Sequence, residues 1–503
     1  MANYKSYQQE QTFLIPFDVD TNIPQGSFPR FLSDFFNEHA DISFFGKKRK
    51  NDFGGKPAKH CIMMLKIIFY AFSQGIYSMR ELSDKYLMKH IEFIYLSGNQ
   101  HVDHSTLSRF INLYQEEITE IFIKTVYVAN NLGYIRKNLT AIDSTPIRAN
   151  ANQKFTGKTE TFKKKKIVYE KMIIKLLHRS EKLEEKESKE AEDQIRKEKE
   201  NIERLKRSYT STIRKINQFL DEAENNQDQD TNHKGEEYWK NLTDKDSCMY
   251  RKNKKFLQAY NCQAGVDDSG IIVGTDVSKT IADQTELKNM VKKCEKNLTN
   301  VGVNEEEIKK IGFLLDRGYV NAGEIGELTR EGYDLYMLLK EYNLEVKDGK
   351  KISVENCDIY RDKDGKVKLK CPGGQEIIHS KYLKKWYKEY YYKFYAKRKE
   401  CPTCEHYINC AGTIKSGKKE FSLKKETVDN LDELQKIREK METWEGRNKY
   451  NKRFWLGEHG FGIIKGKRKF EQFLVRGRDK VKQQWTMICI AFNLRKIWSL
   501  NEC

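Results

Sequence analysis

Three acidic residues stand out by what surrounds them. Asp143 closes the apolar step of "NLTAIDSTPIRANAN", Asp316 closes that of "KKIGFLLDRGYVN", and Glu458 lies in "YNKRFWLGEHGFGIIKGKRKF" on an aromatic, strongly basic background. Each aspartate ends a short apolar run of strand character, and strand ends of mixed α/β sheets gather at one edge, where sites are built. Carboxylates brought together there repel one another unless a divalent cation neutralises them. A hard cation such as Mg²⁺ takes one or two carboxylates together with the phosphate oxygens of a substrate. For either aspartate alone a turn or capping role is the simpler reading, and for Glu458 an exposed helix position beside lysines. Chemistry therefore requires that the chain bring the three together.

A second group is built from thiols. Cys371 opens "CPGG", and Cys401, Cys404 and Cys410 fall in "CPTCEHYINC". A C-x-x-C knuckle with further thiols nearby suits a tetrahedral structural Zn²⁺ site of four thiolates, with Cys357 or His379 able to replace one ligand. Unligated thiols are the alternative. Such a zinc would stabilise the segment that carries it and take no part in catalysis. Close by, "KYLKKWYKEYYYKFYAKRK" interleaves aromatics with lysine. That pattern suits either stacking on unpaired bases or a strand pair with a tyrosine face. His104 and His459 read as packing or hydrogen-bonding residues rather than ligands.

The elements that must position these groups follow from periodicity. Residues 1–55 carry aromatic patches without strong periodicity and read as an irregular N-terminal arm docked on something larger. From 56 to 135 apolar residues recur at helical spacing, broken at Gly75, with Ser78 starting a further helix and Ser105 or Thr106 capping another. Helix, turn and capped helix, with Ser105 and Arg109 near the second start, fit either a DNA-reading helix-turn-helix or plain packed helices.

Residues 136–155 and 245–341 read as the α/β core: strand, hairpin around "DDSG", helix, strand, helix, strand. Between them, 156–244 is a helical insertion. It has no Gly or Pro between Gly157 and Gly235, and Ile195, Ile202, Leu205, Tyr209, Ile213, Ile216 and Leu220 form a coiled-coil-like seam. Dimerisation arm, DNA-contacting arm and solvated hairpin are all open for it. Residues 342–430 form the Cys-containing insertion, and 431–503 a helical, basic C-terminal segment.

At 503 residues the chain is long enough for several structural units with ample cores. Lys and Arg number 92 against 73 Asp and Glu, a net charge of +19, which favours a polyanionic partner. No apolar run reaches the roughly 20 residues of a membrane span. The start lacks the order of a secretory signal, so a cytoplasmic, reducing location is expected for the 11 cysteines.

"AIDSTPIRANAN", "YNCQAGVD", "LLDRGYVN" and "YNKRFWLGEHGFGIIKGKRKFEQFLVRGRDKV", in this order and followed by "CIAFNLRKIW", resemble the DDE transposases of bacterial insertion sequences. "DHSTLSRF" is similar to the helical segment that precedes their catalytic domain. The likeness runs from about residue 55 to the end. It implies an RNase H-like core with Asp143, Asp316 and Glu458 as catalytic carboxylates holding Mg²⁺ or Mn²⁺. It further implies cleavage at element ends and transfer of the freed 3′-hydroxyl into target DNA. Tyr450, Arg453 and Lys465 match the Tyr, Arg, Glu, Lys signature of the group.

Four residues separate Arg453 from Glu458 where the familiar signature has three, which leaves Lys452 as a substitute for Arg453. Lys467, Arg468, Arg476, Arg478 and Lys480 would neutralise phosphates. The implied partners are double-stranded DNA, as terminal inverted repeats and target, and a second copy of the chain in the active complex. A catalytically inactive, sequence-specific DNA-binding descendant of such an enzyme is the alternative, as is a metal-dependent nuclease that cuts without joining.

Overall fold

The computed structural model describes residues 18–40, 45, 58–184, 192–225, 237, 239–252, 254–342, 344–346, 351–378, 383–386, 389–396, 401–410 and 419–502. At its centre runs β1 (Leu139–Arg148). The long strand β3 (Lys255–Asp267) lies antiparallel along it, from Thr140 opposite Asp267 to Arg148 opposite Ala259. On the other side β5 (Gly312–Leu315) runs parallel, from Leu139 beside Gly312 to Ile142 beside Leu315, and β6 (Asp334–Tyr336) continues in parallel. β2 (Cys248–Lys252) and β4 (Ile272–Val277) both pair with the outer edge of β3. β4 and β5 are buried at every residue, as strands covered on both faces must be, which is why β5 reads as an apolar run rather than an alternation.

β1 does not stop at Asp143, where the sequence suggested a strand end. Its antiparallel neighbour is long enough to pair it as far as Arg148, and only the parallel neighbour gives out at Leu315. Asp143 thus sits inside a strand but at the edge of the parallel part of the sheet.

Two helices sandwich β4. α8 (Leu287–Asn300) buries Met290, Val291, Cys294 and Leu298. The C-terminal helix α13 (Arg478–Asn501) is buried on most of its faces, against β4 and against α2 (Cys61–Ser73) and α5 (Gln115–Asn131). The buried Asn493 carboxamide joins three of these elements. It accepts from Ile272 N at 2.9 Å and donates to Ile272 O at 2.8 Å and Thr125 Oγ1 at 3.3 Å.

The N-terminal helices therefore share one continuous hydrophobic core with the sheet. The arm is regular where it is described: α1 (Phe28–His39) starts with Pro29 in its first turn and buries Phe28, Leu32, Phe35 and Phe36. That i, i+4, i+7, i+8 spacing is helical and was obscured by the proline and by further phenylalanines around it. α3 (Ile91–Ser97) leads through a turn to α4 (His104–Leu113), whose N-cap is Asp103, accepting from Ser105 N at 2.7 Å, in place of Ser105 or Thr106.

Between β1 and β2 the chain makes an antiparallel pair of long helices, α6 (Thr159–Glu184) and α7 (Glu192–Asn225). The α7 seam is used within the chain: Tyr209 meets Tyr169 at 5.5 Å between ring centroids and Phe219 meets Phe162 at 4.9 Å. Tyr209, Ile216 and Leu220 of the seam thus pack within the chain, as the hairpin reading has it.

After β6 a second insertion forms two three-stranded sheets, β7 (Asp358–Arg361), β8 (Val367–Lys370), β9 (Glu376–Ile378) and β10 (Lys384–Trp386), β11 (Glu389–Tyr395), β12 (Glu420–Lys424). They enclose a core of their own, and the Lys/Tyr-rich stretch is the strand pair β10–β11. His379 lies outside the described residues, as does the side chain of His459. α11 (Leu431–Glu442) and α12 (Trp444–Gly462) return the chain to β1.

On β4, the Asp276 carboxylate receives Lys293 of α8 and, at 2.8 Å, Lys482 of α13. Burial alone would raise its pKa, but the two ammonium groups hold it down to about 2. Lys293, the more buried cation, is pushed down by desolvation. A carboxyl held low in the folded state stabilises above its unfolded pKa and loses that contribution as pH falls through its folded one. Asp276→Asn is therefore expected to lose about 2–3 kcal/mol at neutral pH. The gap to wild type should close in urea melts as pH falls from about 4 to about 2.

Candidate active site

Asp143 and Asp316 are each the next residue after the last parallel pair, Ile142 beside Leu315. Neighbouring strands lie about 4.8 Å apart. Two full charges at that separation cost each other about 3.5 kcal/mol at the effective dielectric of a protein surface. The Asp143 carboxyl shows the strain: burial, and then the Asp316 and Asp283 charges, lift its pKa to about 6 against the pull of Ser144 N–H and Arg453. Its Oδ1 accepts from Ser144 N at 2.8 Å. Asp316 precedes the single turn Arg317–Tyr319 but its side chain makes no capping bond there and is half exposed, so the simple turn role does not account for it.

Asp283 is a member of this group that sequence reasoning missed. It opens the turn Asp283–Thr285 after β4, and β3 holds it: Asn261 Nδ2 donates to its Oδ1 at 2.7 Å and Gln263 Nε2 at 2.8 Å. Tyr319, just beyond Asp316, donates its hydroxyl to Gln263 Oε1. The signal was present in "YNCQAG", where Asn261 and Gln263, two apart on a strand, must share a face.

α12 lies across this edge. Arg453 Nη2 stands 3.7 Å from Asp316 Oδ1 with its guanidinium 5.7 Å from the Tyr450 ring centroid. One turn on, Gly457 faces Asp143: a Cβ there would come within 3.0 Å of Asp143 Oδ2. Glu458, the next residue, is exposed. The four-residue gap in the signature thus leaves Arg453 in place and puts a glycine, not the glutamate, one turn along the same face. Lys452 takes no part at Asp316. It lines a concavity with Lys137, Lys310 and Lys449 by the start of β1.

Lys465, in the turn that extends α12, donates to Pro146 O of β1 at 2.9 Å. Lys467 and Lys480 are exposed, Arg478 is partly so, and Arg476 is tied to Asn150 O at 2.7 Å. Arg468 departs from the expected phosphate-facing role. It is 8 % exposed, set 5.7 Å from the Phe492 ring centroid, and burial lowers its pKa to about 10. It serves the core between Tyr77 and α13. On α4, Ser105 and Arg109 are exposed one turn apart, with Arg109 Nη2 3.3 Å from Ser105 Oγ, and His104 hydrogen-bonds as expected, 3.2 Å from Asp103 and 3.4 Å from Arg80.

Among the described residues no three His, Cys, Asp or Glu side chains stand close enough to hold a metal ion as they are placed. The donor set nonetheless fits a hard divalent cation. It offers only carboxylate oxygens, and one of them, Asp143, is penalised for being charged until a cation stands by it.

An edge of this kind, with aspartates on adjoining strands and a basic helix across them, suits an enzyme that works on a polyanion. Residues 370–498 match the family model of the transposase DDE domain, and residues 17–113 match that of a transposase domain (DUF772). Together the two matches support a DDE transposase of an insertion sequence, a class that is generally divalent-metal dependent and acts on DNA. The DDE match covers α12 and α13 but neither Asp143 nor Asp316, and the other match takes in α1 and α4. No curated protein and no solved structure matches the chain.

The Gly457 contact gives a direct test. In Gly457→Ala the helix gains about 1 kcal/mol of propensity while Asp143 yields a few tenths of an ångström, so its stability should stay near wild type. The larger Gly457→Val should destabilise by about 1–3 kcal/mol in thermal or urea melts, because α12 is pushed off β1.

Proposed function

We propose that the chain is a cytoplasmic, Mg²⁺- or Mn²⁺-dependent transposase that cuts DNA at the ends of its element and joins the freed 3′-hydroxyl to target DNA. The reading rests on one observation above others: Asp143 and Asp316 side by side at the edge of a parallel strand pair, beneath a helix that carries Tyr450, Arg453 and Glu458. An RNase H-like core is supported by the sheet order, three parallel strands continued by antiparallel β3 and its partners. Asp143, Asp316 and Glu458 are the residues that would hold the metal. Two ions so held would supply activation of the attacking oxygen and neutralisation of the leaving one.

In cleavage the oxygen of water bonds to phosphorus and the bond from phosphorus to O3′ breaks. A 3′-hydroxyl and a 5′-phosphate result. In joining, that hydroxyl oxygen bonds to a target phosphorus, the target's own O3′ departs, and the proton of the attacking hydroxyl passes to it. One phosphoester replaces another, so no energy source is consumed. No side chain need become a nucleophile.

What the chain itself contributes is position and charge. Arg453, 3.7 Å from Asp316 and resting by Tyr450, can turn its remaining N–H donors to a phosphate oxygen. The exposed Lys452, Lys467 and Lys480 neutralise the backbone on either side. Asn261 and Gln263 hold Asp283 beside Asp143, which favours any cation entering the edge. Two ends must be held for joining, so a homodimer on paired inverted repeats is the working assembly, with Ser105 and Arg109 of α4 as DNA contacts.

The test uses DNA bearing the repeats that flank the element. Wild type should nick and join in Mg²⁺ or Mn²⁺, and Asp143→Asn, Asp316→Asn and Glu458→Gln should bind the DNA but lose at least a hundredfold in both steps. Binding should weaken with salt, each phosphate contact adding about 0.9 to the slope. Wild type that binds the ends without cutting in either metal would instead indicate the inactive DNA-binding alternative, and cutting without joining would indicate a nuclease.

A further inference from the structure

The Cys-containing insertion keeps a core apart from that of the catalytic sheet, and at its heart lies a cavity of about 30 Å³, room for a single small ion. Four thiols line it: Cys371, Cys401, Cys404 and Cys410. Cys371, Cys401 and Cys404 come from two turns that both begin Cys-Pro, and Cys410 from the short helix Tyr407–Cys410 that follows the second. In the first, Gly374 N donates to Cys371 O at 2.9 Å; in the second, Cys404 N donates to Cys401 O at 3.2 Å. Gly373 is required between them, since a Cβ there would meet Cys404 Sγ at 2.5 Å and Cys371 Sγ at 3.8 Å.

Two features sharpen the ligand set. Cys357, fully buried, does not line the cavity, and its sulfur is turned to Ser353 O at 3.7 Å. His406, which does line it, stands 3.2 Å from Glu405. Lys419, 7 % exposed, also lines it and fastens Ile352 O at 3.0 Å and Cys410 O at 3.3 Å. Four thiolates around a divalent ion carry a net charge of two minus, which an ammonium at the cavity wall would offset.

We propose that Cys371, Cys401, Cys404 and Cys410 bind one structural Zn²⁺, with Lys419 offsetting the charge of the tetrathiolate. The sulfurs do not form a closed coordination shell by themselves, so metal binding would draw them together. Binding releases the thiol protons to solvent, so affinity rises with pH. The ion ties two strand-poor loops into the small core and performs no chemistry on DNA, so this proposal stands or falls separately from the reading of the carboxylate edge.

The experiment uses the full chain purified under reducing, anaerobic conditions. Elemental analysis should find one zinc per chain, retained on dialysis and released by a thiol-blocking mercurial. Cys404→Ser should lose the metal, Cys357→Ser should keep it, and Lys419→Met should weaken retention by about 10–100-fold. Should Cys404→Ser fail to fold, cobalt exchanged into the wild type decides the matter. Thiolate-to-metal charge-transfer bands and the intense visible bands of tetrahedral cobalt are expected. Absence of zinc with all four thiols freely reactive, a disulfide among them in the anaerobic protein, or equal loss of metal from Cys357→Ser would each overturn the proposal.

Discussion

Four rungs of parallel pairing, from Leu139 beside Gly312 to Ile142 beside Leu315, are the constraint on which the rest of the molecule turns. They join segments more than 150 residues apart in a chain of 503, and they set the residue after each, Asp143 and Asp316, next to one another. That arrangement is unfavourable by itself. Burial and two neighbouring carboxylates push Asp143 up to a pKa of about 6, and only Arg453 and a backbone N–H act against them. Structures keep such strain where it serves a purpose, and a stabler edge would be made simply by removing a charge.

The remainder of the fold holds that edge rigid. α13 packs against β4 and the N-terminal helices, and Asp276 fastens β4 to α8 and α13 through two lysines, so the sheet cannot slide under α12. Each insertion brings a core of its own. Phe162, Ile216, Phe219 and Leu242 close the base of the helical pair, and Cys357, Leu369, Phe394 and Phe421 fill the Cys-containing unit. Long excursions between the pieces of a sheet are tolerable when they do not borrow from its core, because closing a longer loop costs little more than closing a short one.

Much of this is legible in the amino-acid sequence. The hairpin around "DDSG", the strand ending at Leu315, the α7 seam and the gathering of four cysteines follow from local apolar period and turn residues. The misses have a common cause. Asp103 replaced Ser105 as the cap of α4 by a shift of two residues, and the α1 spacing was hidden by its many phenylalanines. Arg468 looked like one more cation in a basic run, yet it is buried, because its neighbours in space are Tyr77 and Phe492 rather than the lysines beside it in sequence.

The sequence by itself determined which carboxylates end apolar runs, which helix carries the Tyr, Arg, Glu and Lys, and which thiols could meet. Tertiary structure decided which of them face one another. A helix turns about 100° per residue, so whether Arg453, Gly457 or Glu458 looks at the strand depends on how α12 is rolled against β1, and packing places Gly457 there. Asp283 joined the group for the same reason. Nothing in its own turn marks it, and only the side chains of Asn261 and Gln263, reaching from β3, bring it to Asp143.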